Sequence, residues 1–143
     1  MADNLSKAYK TRDEAAMGGF KKIMSGNHPN KFDEYAFYVL LKVESGQINY
    51  YYTEPEKIGS NGGELRLKLS KGQMLRAYCH THPARISEEN FSADDFAQFK
   101  ITIQTYPSLV WYLLTPSEQL RLAQSESDFR GGKEVKWIAS VQP

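Results

Sequence analysis

The run EYAFYVLLKV, residues 34–43, limits what this chain can fold into more than any other stretch. It is rich in aromatic and β-branched residues and almost continuously apolar. It therefore reads as a strand, and a strand apolar on both faces belongs inside a sheet. SGQ then turns the chain, and INYYYTEP follows as a second strand, so the pair reads as a hairpin. After the GSNGG loop, ELRLKLS (64–70) alternates apolar and polar, as a strand with one buried face does. Beyond KGQ, MLRAYCH (74–80) is a fourth strand that runs directly into His80-Thr81-His82.

Helices flank these strands. TRDEAAMGGFKKIM (11–24) carries a capping signal in Thr11 and Glu14 and a partial apolar stripe in Ala15, Ala16, Phe20, Ile23 and Met24. Its Gly18-Gly19 pair either weakens the helix or marks close packing against a sheet. FSADDFAQFKITIQ (91–104) predicts a second helix, capped by Ser92, with acids in its first turn and Phe96 and Phe99 on its apolar side. YPSLVWYLLTP then reads as a buried strand, SEQLRLAQS as a shorter one and VKWIASV as the last, while residues 1–10 read as a loose polar lead-in. The order is helix, four strands, helix, two or three strands. That is an α+β chain: one mixed, mainly antiparallel sheet with helices packed on it.

A length of 143 residues fits one domain, 1–143, with its own core. Its 18 basic and 17 acidic residues leave a net charge of +1, which argues against a nucleic-acid partner. The aromatic run 50–52 is accordingly read as sheet packing and not as a base-stacking platform. The single cysteine, Cys79, excludes an internal disulfide and a four-cysteine zinc site, and it fits a reducing compartment. The start of the chain lacks the apolar core of a signal peptide, and no apolar stretch is long enough to span a membrane. The expectation is a cytoplasmic protein without a membrane partner.

The chemistry concentrates at the end of the fourth strand. The chain has 3 histidines. His28 lies in a Gly-Asn-Pro loop and reads as surface, but His80 and His82 stand one residue apart. Side chains of a strand alternate, so both imidazoles point the same way and can meet one metal ion. Pro83 ends the strand. Asp95, on the first turn of the second helix, is the best third ligand. Two neutral histidines and a carboxylate suit zinc, which keeps a position for water when it is catalytic. Glu34, at the start of the first strand, is the candidate general base, and Ser92 the candidate oxyanion donor. Plainer readings stand beside these: a surface histidine pair, an ordinary S-x-x-D helix cap, and a solvated acid beside Asp33. A cap and a ligand can be the same residue. Cys79 faces away from His80, which makes it a core residue and not a nucleophile.

Glu34, then HTHP (80–83), then SADD (92–95) resembles the JAB/MPN, or JAMM, metalloprotease superfamily. Eight residues separate Pro83 from Ser92, against the seven usual there. DEAA (13–16), EYA (34–36), NFSADD (90–95) and TPSE (115–118) are similar to a bacterial branch often found at the ends of Rhs-type toxin proteins, and the likeness spans roughly residues 12–125. Two departures stand out. Ala36-Phe37 replaces a glycine expected beside the site, and Asp94 adjoins Asp95 as a rival ligand, with S-x-x-D spacing favouring Asp95.

The resemblance implies a JAB/MPN-like, cytidine-deaminase-like fold and a zinc-dependent hydrolase of amide bonds acting on a peptide or protein. It also implies a bacterial effector or toxin role, with export by a specialised secretion system and an immunity or carrier protein as partner. Here the domain begins with its own methionine and is expected to stand alone. Two rival readings remain. One is a metal-dependent nuclease or base deaminase, opposed by the charge balance and by the lack of a P-C-x-x-C pair. The other is a JAB/MPN-like interaction module without catalysis, opposed by the intact ligand set.

Overall fold

The apolar run opens β1 (Glu34–Glu44), and both edges of that strand are paired. One edge takes β2 (Gln47–Tyr52) and β3 (Glu56–Ile58), and the other takes β4 (Gln73–Thr81), all antiparallel. The structure, a computed structural model, describes residues 5–25, 34–58, 69–82, 89–129 and 131–143. Among these, β5 (Val110–Leu114) lies parallel to β4, and β6 (Leu120–Ala123) and β7 (Lys133–Val135) continue antiparallel. The result is one open, mixed, seven-stranded sheet in the order β2-β1-β4-β5-β6-β7, with β3 beside β1. Two helices, α1 (Arg12–Ser25) and α2 (Ala93–Thr105), complete the described α+β architecture. No described helix is long and apolar enough to cross a membrane.

Helix α1 covers one face. Ala15, Ala16, Met17, Phe20 and Ile23 pack on Phe37, Val39, Cys79 and Tyr112. The glycine pair sits where the helix touches the sheet, because a Cβ on Gly19 would clash with the Phe37 ring and one on Gly18 with Tyr9. Of the two sequence readings of that pair, close packing is the one seen. Cys79 is fully buried in this layer, and burial pushes its thiol well up, as an inert core residue requires.

The other face carries α2, with Phe99 packed among Leu40, Leu75, Phe91, Trp111, Leu113 and Phe129. A register shift between Val39 and Leu40 lets Leu75 join this layer although Ala77 and Cys79 face α1. The parallel β4–β5 pair needs a crossover connection, and α2 is that crossover.

Several expectations change. A strand at 64–70 lies outside the described residues except for Leu69 and Ser70, which are not in a strand. Among the described residues, the third strand in chain order is Glu56–Ile58, which was not expected. The last strand ends at Val135 and does not reach 141. There the backbone carbonyls of Ile138, Ala139 and Val141 turn to the Lys21 ammonium, at 2.7, 3.3 and 2.8 Å, and not to a sheet edge. The described part of the lead-in is pinned. Leu5 and Tyr9 bridge Thr53 and Tyr50, and Tyr9 and Tyr50 exchange backbone hydrogen bonds of 2.8 and 2.9 Å.

Candidate metal centre

The end of β4 is held on both sides before any ligand is considered. Tyr35 of β1 donates its amide to Thr81 Oγ1 at 2.9 Å, and His82 donates its amide to Leu114 O of β5 at 3.0 Å. His80 pairs with Ala36 and Leu113. Strand alternation then puts both imidazoles on the α2 face, where they are 3% and 7% exposed.

Helix α2 supplies the third group. Ser92 is its N-cap, with extended backbone (φ −83°, ψ 170°). Ser92 Oγ accepts the Asp95 amide at 3.0 Å, and Asp95 Oδ2 accepts the Ser92 amide at 2.8 Å, a reciprocal capping box. This box aims the Asp95 carboxylate inward. Oδ1 lies 3.1 Å from His80 Nε2, and Oδ2 lies 3.0 Å from His82 Nε2. One ligand atom from each of the three residues falls within 4.8 Å of the others. Asp94, one residue earlier, is exposed and is not part of this group.

Burial alone would raise the Asp95 carboxyl. The charge of His80 and the hydrogen bonds from His82 and the Ser92 amide outweigh it and hold the group far below the usual carboxylate range. His80 Nε2 faces Oδ1 at 3.1 Å but, like Nδ1, is buried without a hydrogen bond of good geometry among the described residues. Buried polar atoms rarely stay unsatisfied. An ion shared by the three residues would satisfy this nitrogen, and two imidazoles with one carboxylate are a donor set that suits zinc.

Glu34 is the first residue of β1, two before Ala36, and so shares the face of Ala36 and its partner His80. Its carboxylate stands outside the three-ligand cluster, and its charge, with that of Asp95, helps burial raise the Tyr78 hydroxyl. His28 and Pro83 lie outside the described residues.

Sequence reasoning missed what surrounds the cluster. The His80 ring is stacked on Tyr78, meets Trp111 nearly at right angles and touches Phe91. Glu89 anchors the chain just before Ser92. Its carboxylate accepts the Ser117 amide at 3.1 Å and the Ser117 hydroxyl, and its carbonyl accepts Arg121 Nε at 2.8 Å. The TPSE stretch was visible as a motif, but its partner was not. No protein-family model matches this chain, and no curated protein matches it.

Proposed function

We propose that the chain is a zinc-dependent hydrolase of amide bonds with a JAB/MPN-like fold, acting on a peptide or isopeptide bond. One observation carries the reading. Two buried histidines from a strand end and one capped aspartate from a helix start converge on a single point, where His80 Nε2 makes no hydrogen bond of good geometry among the described residues. The site lies beyond the carboxyl end of β4, beside a parallel neighbour, where open sheets with crossover helices commonly bind ligands.

His80 and His82 through Nε2, and Asp95 through its carboxylate, would hold the metal. Bound there, zinc supplies Lewis acidity, polarising a carbonyl and making water nucleophilic at neutral pH. Glu34 is free of the cluster and serves as the proton carrier: its carboxylate takes the proton of the attacking water and passes it to the leaving amine. The Ser92 oxygen accepts the Asp95 amide, and its hydroxyl hydrogen remains to donate to the oxyanion. Asp95 Oδ2 keeps the Ser92 amide, which fixes the carboxylate whatever substrate enters.

The test is metal analysis of the purified chain. About one zinc per chain, lost in His82→Ala, supports the reading. No zinc, and no uptake on adding it, ends it.

A further inference from the structure

A metal-binding histidine ordinarily donates its second ring N–H to a carboxylate, a carbonyl or a water, which fixes the tautomer and the rotation of the ring. His80 lacks that support, because its Nδ1 is buried without a partner among the described residues. Among the described residues no polar group is bonded to that nitrogen. Aromatic rings stand in its place. Tyr78 lies 5.5 Å from the imidazole at 22°, and Trp111 lies 5.5 Å away at 79°.

Trp111 has a property that matters for the rest of the site: a polar tether to α2. Its Nε1–H donates to Thr102 Oγ1 at 3.3 Å, and that hydroxyl donates to Phe99 O at 2.9 Å. Its ring also meets Phe99 edge to face, with centroids 6.1 Å apart. Phe99 and Thr102 belong to the helix that carries Asp95. One buried indole, 4% exposed, thus meets His80 from the strand and is bonded to the helix that presents Asp95.

We infer that Trp111 is a positioning residue that sets the rotation of the His80 imidazole relative to α2, in place of the hydrogen bond that His80 Nδ1 lacks. This rests on the reading of His80, His82 and Asp95 as a metal site. Loss of a ligand's hydrogen-bonding support commonly costs tenfold or more in metal affinity, and the indole stands in for that support here. Thr102 acts one step further out, by holding the indole.

The experiment uses the full chain with zinc and cobalt(II) as probes. Zinc affinity is measured by chelator competition, the cobalt ligand field by visible absorption, and the fold by thermal unfolding. Trp111→Leu should bind zinc about tenfold more weakly with shifted cobalt bands, and Trp111→Phe, which keeps a ring beside His80, should recover most of the loss. Thr102→Val keeps the shape of the helix and should weaken zinc severalfold with shifted bands. A folded Trp111→Leu and a Thr102→Val that both match the wild type in affinity and spectrum overturn the inference. If Trp111→Leu does not fold, Thr102→Val alone decides it by the same two measurements. A wild-type chain that takes up neither metal is a different result: it overturns the metal site itself, and the role of Trp111 with it.

Discussion

Ser92 and Asp95 hold each other: the Ser92 oxygen accepts the Asp95 amide at 3.0 Å, and Asp95 Oδ2 accepts the Ser92 amide at 2.8 Å. One carboxylate therefore caps a helix and completes a candidate metal site. Any change to it has two effects, on stability and on the metal, and these can be measured apart.

Asp95→Ala should lose most zinc affinity and also weaken the start of α2, because a ligand and half of the capping box go together. Asp94→Ala should keep its zinc and cost only a helix-dipole contribution of about 0.3–1 kcal/mol. Zinc content and thermal unfolding on the same samples check both. Metal lost from the Asp94 variant and kept by the Asp95 variant would reverse the ligand assignment.

Ser92→Ala should destabilise the chain by about 1 kcal/mol through loss of the cap. Ser92→Asp should keep near wild-type stability, since aspartate caps equally well, but it has no proton to give an oxyanion. Amide hydrolysis should fall in both variants. If the aspartate variant is fully active, Ser92 is a cap and nothing more.

Glu34→Gln should leave the chain folded and zinc-loaded, because Glu34 lies outside the ligand cluster. Its hydrolytic activity should fall on the order of a hundredfold or more, since glutamine cannot accept a proton at neutral pH. His82→Ala should lose zinc and activity together. Full activity in the glutamine variant removes Glu34 from the mechanism.

Gly19→Ala tests the opposite face. The new methyl would meet the buried Phe37 ring, and overpacking of this kind costs about 1–3 kcal/mol. The site lies across the sheet, so the folded variant should bind zinc as the wild type does. An unchanged melting temperature would show that α1 has room at this point.

The parts that were legible in the sequence are those written in local periodicity. Alternation along 74–82 placed His80 and His82 on one face and Cys79 on the other, and S-x-x-D announced both the cap and the inward carboxylate. What was not legible depends on distant partners. The strand Glu56–Ile58 has no apolar pattern and is a strand because it pairs with Glu34, Tyr35 and Ala36. Residues 137–141 have strand composition, yet their carbonyls are claimed by Lys21, more than a hundred positions earlier. The rings around His80 come from β4, β5 and the segment before α2, and Glu89 meets Ser117 across 28 residues of sequence. No window along the chain contains those meetings.

Among the described residues β2 is an outer strand of the sheet, and outer strands invite pairing with other molecules. The bridges from Leu5 and Tyr9, with the Ser6 amide on Tyr52 O at 3.0 Å, occupy the backbone groups through which such pairing would begin. Leu5, Ser6 and Tyr9 thus cover part of that outer edge. A chain shortened to begin at Thr11 would keep every candidate ligand, yet it would present the tyrosine-rich edge at 50–52 to its own copies and be prone to aggregate.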